Sequence, residues 1–247
     1  MSERQGTDKA VAGLPTQRGF AGNPFELLDE RRFPSPWPHL DAVLQLGPGR
    51  MVGIGAHRGH REATAGLEIA LQTASSGHST LLFAPDLPAR NAVPNLRIER
   101  PAQLTPERIR EIVNTRIALR QLPDVVVVDH FALLRPDPPV YEPTSYDPWD
   151  DPAEDERDPA VQEADEIGRQ LKLLATRHDL AVVVMAHITR PFSKTEALTV
   201  DRLGLAASLE YDADALLLLR RADDRRVDVH VAKNRTGPAP HEFTADW

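Results

Sequence analysis

The sequence predicts an α/β fold with a mostly parallel central sheet flanked by helices. Short apolar segments of strand length alternate with segments whose apolar residues recur at helical spacing, and this alternation is typical of parallel sheets covered by helices. Residues 125–128 are four consecutive valines, which favours a central strand buried on both faces. Residues 227–231 alternate apolar and polar side chains and predict an antiparallel hairpin with a last strand around 242–244.

The composition fits one large domain or two small ones, with 247 residues, 41% of them hydrophobic and 27% charged. A net charge of -8 argues against a general nucleic-acid coat but leaves room for a local basic groove. The chain has no cysteine, which excludes disulfides, thiolate metal sites and cysteine nucleophiles. It also has neither an apolar run of membrane-spanning length nor the apolar core of a signal peptide. We therefore expect a cytoplasmic protein without a membrane partner.

Two regions are expected to lie outside the folded core. Residues 1–34 predict a flexible N-terminal segment that carries a short amphipathic arm helix at about 23–31, with Phe25 and Leu28 on its apolar face. This arm would pack either on its own domain or on a neighbouring subunit. The α/β domain is then expected over 35–247, interrupted by an exposed acidic, Pro-rich loop at 136–159.

The remaining elements are predicted from periodicity and from helix-start signals. Strands are predicted at residues 51–56, 79–84, 125–128, 180–186 and 213–219. Helices are predicted at residues 39–46, 62–74, from 105 onward, 160–178 and 203–209. The helix over 62–74 is expected to bury Ala63, Leu67, Ala70, Leu71 and Ala74. The helix over 160–178 is expected to bury Ala164, Ile167, Leu171, Leu174 and Ala175.

Residues 51–72 combine a buried strand, a turn rich in Gly and His, and a helix, which is the architecture of a phosphate-binding P-loop. That motif ends in Gly-Lys-Ser/Thr, whereas this chain has Arg61, Glu62 and Ala63 before the apolar helix. Glu62 reverses the charge of the phosphate-binding lysine, and Ala63 lacks the hydroxyl that binds Mg²⁺. Two unit charges about 4 Å apart interact by roughly 4 kcal/mol at an effective dielectric of about 20. We therefore expect ATP affinity to fall by several powers of ten.

The degenerate loop still supplies the candidate nucleotide-binding residues, which are Gly55, Arg58, Gly59, His60, Arg61, Glu62 and Ala63. Arg58, His60 and Arg61 are candidate replacements for the lysine, since arginine binds phosphate through several donors. The bulk of Arg61 counts against that rescue, because glycine normally lets the backbone curl around the phosphate here.

Further segments follow the loop in a characteristic order. They are LD at 40–41, LGPG at 46–49, FAPDL at 83–87, VVVVD at 125–129, VVVMAHITR at 182–190, SLEYDAD at 208–214 and KNRTGP at 233–238. From about Trp37 to Phe243 the chain resembles the RecA-like ATPase domain of DnaB-type replicative helicases. The resemblance implies a RecA-like P-loop NTPase fold, with ATP and Mg²⁺ as cofactors.

The resemblance also implies roles for five residues. Asp86 stands at the position of the glutamate that activates the attacking water, and Asp129 at that of the aspartate that holds Mg²⁺. His187 stands where the family has a glutamine that senses the γ-phosphate, while Lys233 and Arg235 match the hairpin that reaches a neighbour's nucleotide as an arginine finger. Blander interpretations are a polar loop residue for Asp86, a structural histidine for His187, and solvated charges on the hairpin.

DNA contact and assembly are implied less directly. Arg190 and Lys194 follow a strand whose loop contacts single-stranded DNA in the family, but the preceding loop at 136–159 is strongly acidic and repels phosphate. The family further implies a homo-oligomer, including a hexameric ring, or a mixed assembly with an active helicase.

The sequence thus favours a non-hydrolysing pseudo-ATPase with a structural or regulatory role in DNA replication or a related DNA transaction. One alternative is an active ATP-dependent helicase or translocase with a rewired loop. The other is a scaffold that binds a basic partner through its acidic loop.

Overall fold

The computed structural model of the protein describes residues 31–57, 64–87, 93–135, 158–189, 196–237, 239 and 241–246. These residues belong to one compact unit that begins at Arg31. The predicted arm helix before Arg31 and the acidic loop up to residue 157 lie outside the described residues, so both stay predictions.

The described residues form an eight-stranded sheet in the order β3-β2-β4-β5-β1-β6-β7-β8. Its strands are β1 (Met51–His57), β2 (Thr80–Phe83), β3 (Leu96–Glu99), β4 (Val125–Val128), β5 (Ala181–Ile188), β6 (Ala215–Arg221), β7 (Arg226–Asn234) and β8 (His241–Asp246). Neighbours from β3 through β6 are parallel, whereas β7 and β8 are antiparallel additions. The mostly parallel sheet and the C-terminal antiparallel hairpin are both confirmed.

The helices are α1 (Pro38–Leu44), α2 (Ala65–Ser75), α3 (Pro106–Ala118), α4 (Pro159–His178) and α5 (Leu209–Asp212), the last preceded by 3-10 turns at Val200–Ser208. Two of them begin at a residue whose side chain caps the first turn. The Thr105 hydroxyl accepts a hydrogen bond from the Arg108 N–H at 3.0 Å, and the Asp158 carboxylate accepts one from the Ala160 N–H at 2.9 Å. Each cap is followed by proline, which needs no N–H partner in the first helical turn.

The core consists of two apolar layers, one on each face of the sheet. Val126 and Val128 contribute to the layer that includes α3 and α4, while Val125 and Val127 contribute to the layer that includes α1 and α2. All four valines are fully buried, which explains why this strand reads as an unbroken apolar run rather than an alternating one. The predicted inward face of α4 is confirmed, since all five of its residues are buried.

Two details differ from the sequence predictions. β3 was not predicted, because it lies at the sheet edge and is only partly buried, so its short sequence carries a weak pattern. In α2 the buried residues include Ala65, Gly66 and Ile69, while the predicted Leu67 and Leu71 are only half-buried. Gly66 lies against the sheet, where a Cβ would be 2.6 Å from the Met185 Cγ.

Candidate functional site

Three predicted site residues gather at the carboxyl edge of the sheet, the edge at which the parallel strands end. Asp129 directly follows β4, Asp86 lies three residues after β2, and His187 is the second-last residue of β5. Because β2, β4 and β5 are parallel neighbours, their ends bring the three residues to one place. In open α/β sheets this edge is where ligands bind.

Asp129 is tied to its neighbour strand and is electrostatically unfavourable as an anion. Its backbone N–H donates to the Phe83 carbonyl at 2.8 Å. Burial, together with the negative charge of Asp86, raises the pKa of Asp129 to about 6. Among the residues that the structure describes, the charged group acting on this carboxyl is therefore another acid. The site as described favours an incoming cation over an anion.

Two further histidines at this edge were missed from the sequence. The rings of His130 and His187 lie with their centroids 3.7 Å apart at an interplanar angle of 43°, and His57 ends β1. The position of His130 directly after Asp129 was the available signal, but only the pairing of β4 with β5 brings it to His187.

The ends of the predicted phosphate loop are well defined. Gly55 lies inside β1, and a Cβ there would lie 2.5 Å from a methyl carbon of Leu203 and 2.8 Å from one of Leu218. Close packing therefore explains why residue 55 is a glycine, independently of any contact with phosphate. Beyond β1, Arg58, Gly59, His60, Arg61, Glu62 and Ala63 lie outside the described residues. The chain resumes at Thr64 and enters α2, so the strand and the helix that flank the loop are in the predicted places.

Lys233 and Arg235 lie at the opposite, amino edge of the sheet, where the parallel strands begin. β7 runs antiparallel to β6, and its last residue Asn234 pairs with Ala215, the first residue of β6. The Lys233 ammonium donates to the carbonyls of Glu210 at 2.5 Å and Tyr211 at 3.0 Å, at the end of α5. Such a contact stabilises a helix C-terminus. Burial, followed by the charge of Arg235, lowers the pKa of Lys233.

Asp214 is the centre of a polar cluster at the amino edge, and its side chain is only 7% exposed. Its Oδ2 accepts hydrogen bonds from the Met51 N–H at 2.8 Å and from the Lys172 Nζ at 2.6 Å. The Arg235 Nη1 lies 3.3 Å from the other carboxylate oxygen, and the Arg235 N–H donates to the Asp214 carbonyl at 2.8 Å. Burial lowers the pKa of Arg50 beside this group, and the charge of Asp214 acts against that shift.

The roles of Lys172 and Arg50 were also missed. Lys172 lies one turn of α4 beyond the buried Gly168 and one before the buried Ala175, so its spacing placed it on the inward side of the helix. That spacing could have indicated that Lys172 faces inward. It could not have indicated its partner Asp214, which is 42 residues away in the chain. Only the packing of α4 against the start of β1 and β6 shows the pair.

The two edges are too far apart to act on one ligand within a single chain. Between β4, which leads to Asp129, and β7, which leads to Arg235, lie four strand spacings of about 4.8 Å each, roughly 19 Å in total. Asp129 and Arg235 also lie at opposite ends of their strands. A contact of Arg235 with a ligand at the carboxyl edge therefore needs a second molecule.

The described residues and the loop sequence lack parts of the donor set that Mg²⁺ and ATP require. The described residues contain no group of three or more His, Asp or Glu side chains placed to hold a metal ion. The loop position that should supply a hydroxyl is Ala63, and the position that should supply the lysine is Glu62. Asp129 is the acid that matches the metal position, and the negative charge of Asp86 acts on it.

Two further predictions concern contact with DNA and the membrane. Arg190 and Lys194, the candidate DNA contacts, lie outside it. Within the part of the chain that the structure describes, every helix is too short or too polar to cross a membrane.

The fold resembles solved structures of helicase-type ATPase domains. One, described as an ATPase domain, is 18% identical, with 87% of each chain covered and a TM-score of 0.67. Another, described as a DnaB-like replicative helicase studied for its interactions with primase, is also 18% identical; 87% of this chain and 59% of that chain are covered, with a TM-score of 0.66. At this identity the likeness shows a shared RecA-like fold.

A search of curated protein sequences found no match. The family model of the DnaB-like helicase C terminal domain matches residues 87–243, which begin beyond the phosphate loop and include Asp129, His187, Lys233 and Arg235. Because the match extends over more than half of the 247 residues, the chain belongs to the DnaB-like helicase C-terminal domain family.

Proposed function

We propose that this protein is a non-hydrolysing member of its family, a pseudo-ATPase with a structural or regulatory role in DNA replication or a related DNA transaction. The observation that carries the proposal is the charge at the phosphate-binding end of the fold. Glu62 and Ala63 replace the lysine and the hydroxyl, and the Asp129 carboxyl is acted on by the acid Asp86 rather than by a base.

Several charged residues act together at this edge of the sheet. A triphosphate brings several negative charges and needs cations or N–H donors to offset them. Here Glu62, Asp86 and Asp129 would each repel it. Three basic loop residues, Arg58, His60 and Arg61, oppose that repulsion, but arginine side chains cannot reproduce the close backbone approach that glycine allows.

The retained hairpin supports a role toward a neighbouring subunit. Arg235 is exposed and lies across the sheet from its own carboxyl edge, which supports an action on another molecule. That molecule is a second copy of this chain or an active helicase of the same family, in a ring or a mixed assembly.

Calorimetric titration of the purified protein with ATP and Mg²⁺, paired with a mass measurement and a phosphate-release assay, tests the proposal. We expect neither turnover nor tight binding. A matched variant that restores the motif, with Arg61→Gly, Glu62→Lys and Ala63→Thr, should bind ATP more tightly by about tenfold or more. ATP turnover by the unmodified protein that is abolished by Asp129→Ala would instead establish an active enzyme with a rewired loop.

A further inference from the structure

The contact between α4 and α5 brings two acids close together. Asp212 is the last residue of α5, and its Oδ2 lies so near α4 that a Cβ on Gly168 would be 3.4 Å away. Asp165 lies one turn of α4 before Gly168, so it shares the helix face that Asp212 meets. The negative charge of Asp165 also acts on the Asp212 carboxyl. The two acids therefore face one another across the α4–α5 contact.

Two polar atoms near this contact are buried and lack a hydrogen-bond partner among the described residues. They are the Asp165 Oδ1 and the Ser208 Oγ. Ser208 is 5% exposed and lies four residues before Asp212 in continuous helical backbone, which places both residues on the same face. A buried acceptor without a donor, or a buried donor without an acceptor, is unfavourable.

The protonated form of Asp212 matches both atoms. A neutral carboxyl group has one O–H donor and a carbonyl oxygen that accepts. It can therefore donate to the Asp165 Oδ1 and accept from the Ser208 hydroxyl. An ionised Asp212 can only accept, so it leaves the Asp165 oxygen without a donor and places a second negative charge beside it.

The charges that surround Asp212 favour the same form. Burial raises the pKa of Asp212 most, Lys233 lowers it, Asp165 raises it, and Arg169 and Arg235 lower it. Asp165 and Arg169 belong to α4, whereas the two other bases belong to the C-terminal hairpin. The resulting pKa lies above the ordinary value of 3.8, because burial and the neighbouring acid outweigh the three bases. The folded protein therefore holds this proton more tightly than the unfolded chain does.

α5 connects the acid pair to the hairpin at the amino edge. The Lys233 ammonium donates to the carbonyls of Glu210 at 2.5 Å and Tyr211 at 3.0 Å, and Glu210 itself is exposed. Just beyond α5, the Asp214 Oδ2 accepts a hydrogen bond from the Lys172 ammonium of α4 at 2.6 Å. A change in the α4–α5 contact therefore changes how firmly the end of β7 is held.

We propose that Asp165 and Asp212 form a proton-dependent contact that holds α5 against α4, and that loss of the proton loosens α5 together with the end of β7. The stabilising contribution is fully present below about pH 4, the region of the unfolded-state value, and is lost as the pH rises through the raised pKa of Asp212. The contact thus makes the position of the hairpin sensitive to pH.

Amide hydrogen exchange of the full chain from about pH 4 to about pH 8, followed by mass spectrometry, tests this contact. Each exchange rate is divided into the intrinsic rate at the same pH, so that the protection factor reports the opening of α5. In the native protein the protection of α5 should fall severalfold as the pH rises. The protection of α3, which lies outside the α4–α5 contact, is the internal reference.

Asp212→Asn is the decisive variant, because its amide keeps both a donor and an acceptor at every pH. Its α5 should be equally protected at both ends of the pH range. Asp165→Asn removes the facing charge and supplies a donor to the ionised Asp212, so it should also abolish the pH dependence. Asp224→Asn is the control, since it removes a carboxylate whose side chain is 89% exposed, and it should retain the native pH dependence.

Protection of native α5 that stays constant or increases as the pH rises would overturn the proposal. The same holds for an asparagine variant at position 165 or 212 that keeps the native pH dependence, and for a control that loses it. Thermal unfolding shows whether each variant folds. If one does not, the carboxyl carbon resonance of Asp212 in the native protein decides, because it should titrate together with the protection of α5.

These outcomes are independent of the ATP titration, because the acid pair lies on α4 and α5 and outside the phosphate loop. ATP turnover by the native protein would refute the proposed function and leave this contact unaffected. Protection of α5 that does not respond to pH would refute only the contact.

Discussion

At the scale of single residues, two acids show that the free-energy cost of burying a carboxylate depends more on its neighbouring groups than on how deeply it is buried. Asp214 is only 5% exposed yet receives a backbone N–H, an ammonium and a guanidinium. Asp129 is less buried but is acted on by Asp86, and its pKa is raised to about 6. Burial with donors stabilises a carboxylate, whereas burial beside another carboxylate destabilises it.

Asp129→Asn should therefore stabilise the protein at neutral pH. The folded-state pKa is above the ordinary value of 3.8, so the native state holds the proton more tightly than the unfolded chain does. The associated stability is present below about pH 4 and is lost as the pH rises through about 6. At about pH 7 the amide should raise the free energy of unfolding by up to about 3 kcal/mol. At about pH 4 the gain should vanish.

Urea unfolding at the two pH values measures this difference. Asp224→Asn is the control, because the Asp224 side chain is 89% exposed and its removal should change stability little. A loss of stability at neutral pH in Asp129→Asn would contradict the unfavourable charge inferred at this position.

At the scale of elements, α2 makes a close contact with the sheet near the site. Gly66 lies in the first turn of α2, and a Cβ there would meet the Met185 Cγ at 2.6 Å and a methyl carbon of Val127 at 3.4 Å. This close approach holds the start of α2 against β4 and β5. The glycine is thus required by packing and not by its backbone angles.

Gly66→Ala should lower the free energy of unfolding by about 1–3 kcal/mol, since the added methyl group overpacks the contact with Met185. Gly168→Ala is the matched control, because Gly168 is also inside a helix and a Cβ there would meet only the Asp212 carboxylate at 3.4 Å. Alanine favours the helix by up to about 1 kcal/mol over glycine, so this variant should be neutral or more stable. Thermal or denaturant unfolding of both variants distinguishes them, and equal effects would argue against a tight α2 contact.

At the scale of the whole molecule, the fold places a cationic hairpin and an acidic strand-end cluster at opposite edges. A subunit of this kind is suited to act on its neighbour rather than on itself. Under the proposed function, Arg235 would act on the nucleotide site of a neighbouring subunit, although this chain has Glu62 at the lysine position of its own loop.

Addition of this protein to an active helicase of the family should therefore change the rate of ATP hydrolysis severalfold, and the change should disappear with Arg235→Ala. Steady-state phosphate release at several mixing ratios measures the effect. Arg120→Ala, which removes an arginine elsewhere on the same edge, should behave like the native protein. A rate that responds equally to both variants, or to neither, would rule out an Arg235-dependent action on the helicase.

Much of this architecture was determined by the sequence alone. The four valines of β4, the inward face of α4 and the alternating β7 were all predicted correctly, because burial of one or both faces leaves a local period in the chain. The order of the short segments was sufficient to indicate the family. The exchange of lysine for Glu62 is likewise a property of the sequence.

Tertiary structure decided which distant residues meet. His130 reaches His187 and Lys172 reaches Asp214, and neither pair leaves a local pattern. The inward face of α2 and the partly buried β3 were also settled only in three dimensions. The physical reason is the same in each case. Strand order and the closeness of helix packing depend on contacts between segments far apart in the chain, which hydrophobic periodicity within one segment cannot encode.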